Sequence, residues 1–88
     1  MKTTVIITKR GAGYIATVAD QHHTIHNGTR CGLTPYDAAA SAARYMIHHA
    51  MPNPEGGTLM APPEVMELVP EHLREIAPNS GTISVLWL

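Results

Sequence analysis

A single long helix limits what this chain can fold into more than any other feature of its sequence. The helix is predicted to begin at Thr34-Pro35-Tyr36-Asp37, where Thr34 can cap the first free N–H groups and Pro35 suits the first helical position. Asp37 can reach back to the cap and faces the positive end of the helix dipole. Six alanines of high helix propensity follow, until a pair of prolines ends the helix. The sequence therefore predicts one main, alanine-rich helix.

The apolar residues of this helix recur at the spacing of one face. They are Ala39, Ala43, Met46, Ile47 and Ala50. Because most of these side chains are small, the helix can lie close to its neighbours. We expect this face to pack on a sheet.

The chain before the helix has the pattern of β-strands. Thr4–Thr8 and Tyr14–Val18 are rich in β-branched residues, and the glycine-containing segment 9–13 between them favours a hairpin turn. His22–Arg30 alternates less cleanly, although it favours extended structure and contains the turn signal Asn27-Gly28. These patterns predict a β-hairpin followed by a third strand.

The chain after the helix is interrupted by prolines and glycines. Residues 51–63 form a connector with room at most for a short strand, around Thr58–Met60. A short helix is predicted to end near Val69, and one or two further helical turns follow over Glu71–Ile76. Thr82–Leu88 is almost wholly apolar, so we expect a final strand inside the sheet.

Together these elements predict an α+β fold. We expect an antiparallel sheet of three to four strands packed on the main alanine-rich helix, in the order β-β-β-α-(short α)-β. With 88 residues, the chain is too short for two independent cores, so residues 1–88 are predicted to form a single domain.

The sequence also indicates where the protein resides. No run approaches the roughly 18 apolar residues of a membrane span, and the first residues lack the apolar stretch of a signal peptide. The single cysteine, Cys31, cannot form an internal disulfide, as is typical of a reducing compartment. We expect a cytoplasmic protein without membrane contact.

Charge is unevenly distributed along the chain. Residues 1–50 carry five basic and two acidic residues, a net charge of +3, whereas residues 51–88 carry one basic and five acidic residues, a net charge of −4. A chain of overall charge −1 does not favour general nucleic-acid affinity, which requires clustered cations. The asymmetry favours a protein partner, and no direct sequence-specific binding of nucleic acid is expected.

Histidine and cysteine could in principle form a metal site. His22, His23 and His26 precede Cys31, and imidazole and thiolate are both zinc ligands. In a strand, however, His22 and His26 would lie roughly 13 Å apart, so a tetrahedral site would need a loop instead. A polar, histidine-rich sheet edge is the preferred interpretation, and a small buried thiol is the preferred role of Cys31. No cofactor or catalytic activity is predicted, because no nucleophile–base pattern or phosphate-binding loop is visible.

Four glutamates in the second half have helical spacing. Glu64, Glu67, Glu71 and Glu75 would align along one side of a continuous helix, although Pro70 interrupts it. Such residues are either a solvated face or an acidic ridge that binds a basic protein surface. Both interpretations remain open at this point.

The order of these features resembles that of short anti-CRISPR proteins of phages and mobile elements, in particular an inhibitor of type I-F systems. The matching segments run through most of the chain: the strand Thr4–Thr8, Gly13-Tyr14, Gly32 with Pro35, the alanine-rich segment 38–43, Met46, and Val69-Pro70-Glu71-His72-Leu73-Arg74.

This resemblance implies a non-enzymatic inhibitor in the cytoplasm of the bacterial host. Its partner would be a Cas protein or the type I crRNA-guided surveillance complex, and binding would block DNA recognition or nuclease recruitment. Glu71 and Arg74 lie in the matched segment and are the first candidates for partner binding. Glu64, Glu67 and Arg10 are added for their charge. A monomer or a homodimer is expected.

Two alternatives remain. Three strands followed by a helix also resemble the partial RNase H-like fold of HicB-type antitoxins, which implies a small regulatory module that binds a protein. That family usually carries a DNA-binding segment, and no basic recognition element follows the main helix here. A small metal-dependent enzyme would instead require zinc and depend on His22, His26 or Cys31.

Overall fold

The computed structural model of the protein describes residues 2–20 and 23–77, and of His23 its backbone only. Three strands come first: β1 (Thr3–Arg10), β2 (Gly13–Asp20) and β3 (His23–Gly32). The main helix α1 (Pro35–Tyr45) continues as a π-helical turn, Met46–Ala50. The chain then forms β4 (Gly57–Met60), the short helix α2 (Pro63–Met66), a 3₁₀ turn (Glu71–Leu73) and β5 (Glu75–Ile76). The predicted strand Thr82–Leu88 and His22 lie outside the described residues.

The predicted hairpin and third strand are confirmed. β1 and β2 pair antiparallel from Thr4 opposite Ala19 to Arg10 opposite Gly13. The turn between them requires positive φ at Gly11, where φ is +60°. β3 pairs antiparallel with β2, and the register shifts along this pair, so the third strand is less regular than the hairpin.

The sheet is mixed and has five strands, in the order β3-β2-β1-β4-β5. After α1 the chain returns beside β1, and β4 runs parallel to it, with Thr3 opposite Gly57 and Ile6 opposite Met60. A crossover through a helix produces parallel neighbours, whereas a hairpin produces antiparallel ones. The α+β class and the single main helix are confirmed. The predicted antiparallel sheet of three to four strands differs from the sheet observed.

The start of α1 is as predicted. Thr34 Oγ1 accepts a hydrogen bond of 3.1 Å from the backbone N–H of Asp37, and Pro35 occupies the first turn. Most of the predicted helix face is buried, since Ala39, Met46 and Ala50 belong to the core, and Ala38 and Ala42 are buried as well. Ile47 differs from the prediction, since it is 41% exposed.

One face of the sheet packs on the helices. The described buried residues form one cluster that includes Val5 and Ile7 of β1, Ala16 and Val18 of β2, Ala38, Ala42 and Met46 of the main helix, and Val65, Val69 and Leu73 after β4. Alternate residues of β1 and β2 point to the opposite face and are only partly buried. Among the described residues, no helix is both long and apolar enough to cross a membrane.

Candidate functional site

The four glutamates of the acidic segment do not lie on one helix. Glu64 lies on α2, which ends at Met66, and Glu71 begins the 3₁₀ turn after Pro70. Glu75 belongs to β5, where it pairs with Thr58. Proline at position 70 cannot donate the hydrogen bond that would continue the helix. The predicted interruption at Pro70 is confirmed, so the four glutamates do not align along one helix, although all four are exposed.

Glu64 has an intramolecular partner. Its Oε2 accepts a hydrogen bond of 3.1 Å from the hydroxyl of Tyr14, which lies at the start of β2. Burial of the phenol, followed by the hydrogen bond and the negative charge of Glu64, raises the pKa of Tyr14. This contact joins α2 to the hairpin, so Glu64 contributes to the fold as well as to the surface charge.

Arg74 is half-buried and stabilises the loop that precedes it. Its Nε donates a hydrogen bond of 3.1 Å to the carbonyl of Val69, and its own carbonyl accepts one of 2.9 Å from Leu59. The backbone N–H of Arg74 donates to the carbonyl of Glu71 at 3.1 Å. Glu67 and Glu71 are both exposed. Glu67 and Glu71 therefore present carboxylates to solvent, whereas the Arg74 guanidinium already donates a hydrogen bond within the fold.

Arg10 lies at the end of β1 and is exposed. It lines a recess of about 310 Å³ together with Tyr14, Ile15, Gly28 and Arg30, which we call the basic cleft. Two arginines from different strands therefore line one cleft. Arg10 was predicted as a contact residue from its charge, whereas Arg30 was not.

Gly13 leaves room for the Arg30 side chain beside the hairpin. It lies opposite Arg10 in the hairpin, and a Cβ atom at Gly13 would lie 3.6 Å from Nη1 of Arg30. The same Cβ would lie 2.8 Å from the carbonyl oxygen of Gly32, which is too close. Because Gly13 has no side chain, the Arg30 guanidinium can lie over the backbone beside the strand that carries Arg10. Gly11 and not Gly13 has the positive φ of the turn, so the missing side chain of Gly13 serves close packing.

Three rings meet at the other end of the main helix. His26 of β3 lies 5.6 Å from Tyr45 and 5.4 Å from His49, measured between ring centroids, and Tyr45 stacks on His49 at 6.0 Å. Burial, together with the charges of His26 and His48, lowers the pKa of His49. These surroundings therefore favour the neutral form of the His49 imidazole.

The rings are separate from the cysteine. Cys31 is buried near the start of α1, where its carbonyl accepts a hydrogen bond from Ser41. Burial and the negative charge of Asp37 raise the pKa of its thiol. The predicted buried thiol is confirmed. Among the side chains that the structure describes, no three histidine, cysteine or acidic residues lie close enough together to bind a metal ion, and the side chains of His22 and His23 lie outside this part.

No protein-family model matches the chain, and no curated protein matches its sequence. The resemblances described above therefore remain hypotheses about its partner.

Proposed function

We propose that this protein is a small inhibitor that acts by binding another protein rather than by catalysis. The observation that carries the proposal is that exposed basic and exposed acidic side chains lie on separate elements of the folded chain. Arg10 and Arg30 share the basic cleft, while Glu67 and Glu71 are exposed on a different segment. Such surfaces accelerate encounter with a partner of complementary charge and select against others.

The strand order supports a HicB-like inhibitor in particular. Three consecutive antiparallel strands are followed by α1 and by β4, which returns parallel to β1. This arrangement agrees with the partial RNase H-like fold that the second resemblance implies. A fold hosts many functions, so this support concerns the scaffold and the partner must be tested directly. The corresponding partner would be a small protein toxin.

An anti-CRISPR function is the second candidate, and the order of motifs along the sequence favours it. In this version the chain binds a Cas protein or the type I surveillance complex and blocks DNA targeting or nuclease recruitment. Glu71 and Arg74 lie in the matched segment, and the exposed Glu71 carboxylate is available to a partner. Glu64, Glu67 and Arg10 remain proposed contact residues on the basis of charge.

A capture experiment separates the two candidates. Tagged protein is mixed in parallel with reconstituted type I surveillance complexes, with and without target DNA, and with a panel of small protein toxins. Stable capture of a surveillance complex, lost when Glu67 and Glu71 are both changed to lysine, would support the anti-CRISPR function. Capture of a toxin would support the antitoxin-like function. Failure to capture either class would contradict both.

A further inference from the structure

We propose that the basic cleft binds an acidic segment of a protein partner, with Arg10 and Arg30 pairing to its carboxylates. The inference rests on the proposed function and specifies the chemistry of the partner. Arginine suits this role because its planar guanidinium can bind a carboxylate through two parallel hydrogen bonds.

Both arginines project from the same face of the sheet. Arg10 lies opposite Gly13, and Arg30 lies opposite Ile15. Gly13 and Ile15 are two residues apart in β2, so they share a face, whereas Tyr14 between them is buried toward the helices. The two guanidinium groups therefore extend from the face that carries no helix and are open to a ligand.

The two positive charges are not neutralised within the fold. In the part of the chain that the structure describes, neither Arg10 nor Arg30 forms an ion pair with a carboxylate. Like charges that face one recess repel each other, and an anion between them would replace this repulsion with two attractive contacts. A carboxylate of a partner supplies that anion.

The apolar surroundings favour a protein segment over a nucleic acid. The Leu33 side chain reaches within 3.0 Å of the position that a Cβ would take at Gly13, and it is 61% exposed. The half-buried Ile15 lines the cleft itself. Arginine beside apolar side chains is typical of protein interfaces, whereas binding to phosphate backbones needs a larger cluster of cations. We therefore expect the bound segment to combine acidic and apolar residues.

Titration of the isotope-labelled full chain, followed by NMR, tests the proposal. The probe is a peptide of about ten residues that alternates glutamate with leucine, long enough to cross the sheet at the strand rise of about 3.3 Å per residue. Inorganic phosphate and a single-stranded oligonucleotide of similar length are titrated in parallel. We expect saturable shifts of the Gly13, Gly28 and Arg30 amides with the peptide, at lower concentration than with either comparison ligand.

Matched variants distinguish the contribution of the cleft to peptide binding from the contribution of net charge. Arg10→Gln/Arg30→Gln is expected to weaken peptide binding at least about tenfold, because two charge-assisted contacts are lost. Lys2→Gln/Arg44→Gln removes the same charge from exposed positions outside the cleft and should change binding by about twofold or less. The unfolding midpoint of each variant in urea verifies that the fold is kept.

Several results would overturn the proposal. They are the absence of saturable shifts at the cleft, equal weakening in the two double variants, and tighter binding of the oligonucleotide or of phosphate than of the peptide. The capture experiment distinguishes failure of this proposal from failure of the proposed inhibitor function. Full capture of a partner by Arg10→Gln/Arg30→Gln would contradict the cleft and leave the inhibitor function intact. Peptide binding in the cleft without capture of any tested partner would contradict the inhibitor function and leave the cleft proposal intact.

Discussion

The hydroxyl of Tyr14 donates a hydrogen bond of 3.1 Å to Oε2 of Glu64, a residue 50 positions further along the chain. The contact connects the start of β2 to α2, so it closes the long segment that contains the main helix and β4. Glu64 was selected for the surface charge that a partner would recognise. Its location shows that the same carboxylate also stabilises the fold.

Removal of this contact is expected to lower the free energy of unfolding. Tyr14→Phe and Glu64→Ala should each cost about 0.5–1.5 kcal/mol in urea denaturation, the usual net value of one hydrogen bond. Glu67→Ala is the control, since Glu67 is exposed and its side chain forms no such bond in the described residues. Equal loss in Glu67→Ala, or additive losses in the double variant Tyr14→Phe/Glu64→Ala, would contradict a specific contact.

Stability should decrease in acid because of His49. Its pKa is lowered in the folded protein, so the folded state binds fewer protons than the unfolded state at and just below the ordinary value of 6.5. The stabilisation that neutral His49 provides is therefore fully present above about pH 6.5, and it is lost as the pH falls from 6.5 through the lower pKa of the folded state. Thermal unfolding between about pH 8 and pH 5 measures the effect.

The appropriate comparison is between two histidines. His49→Gln should flatten the decrease in unfolding temperature below about pH 6.5. His72→Gln should keep the decrease, since His72 is exposed. An unchanged pH profile in His49→Gln would show that other groups cause the acid sensitivity.

The thiol of Cys31 should react slowly in the folded protein. Its pKa is raised by burial and by Asp37, so less of the reactive thiolate is present than in the unfolded chain. We expect labelling by a chromogenic disulfide reagent at about pH 8 to be at least about tenfold slower in buffer than in concentrated urea. Asp37→Asn should increase the native rate, and equal rates in buffer and urea would contradict burial of the thiol.

Small side chains on the main helix should be essential where it touches the sheet. Ala42 is fully buried, so Ala42→Leu would overpack the interface and should cost about 1–3 kcal/mol in the free energy of unfolding. Ala40 lies two residues earlier and is exposed, so Ala40→Leu serves as the matched control and should be nearly neutral. Comparable losses in the two variants would contradict the observed orientation of α1.

Much of the local structure could be predicted, because its causes are short in range. Thr34 and Pro35 define the start of α1, and the β-branched runs define the hairpin. The predicted face of the helix was right at Ala39, Met46 and Ala50 and wrong at Ile47, which lies exposed in the π-helical turn Met46–Ala50. The change from an α-helix to a π-helical turn leaves no clear pattern in the sequence.

The candidate site was less predictable than the elements that carry it. Arg10 could be selected by charge, but its pairing with Arg30 depends on the irregular register of β2 and β3. A shift by one residue would send Arg30 to the opposite face. Pro70 made the interruption of the acidic segment predictable, whereas the strand pairing of Glu75 with Thr58 joins residues far apart in the chain and could not be predicted.

The α+β class, the single alanine-rich helix, the hairpin and the uneven charge could all be read from the sequence, since propensity, capping and hydrophobic spacing are local properties. The parallel pairing of β4 with β1, the contact of Glu64 with Tyr14, and the cleft that Arg10 and Arg30 both line arise from tertiary packing. These relationships join residues far apart in the chain. They depend on how the helix and sheet pack around one core, and no local pattern of residues encodes that packing.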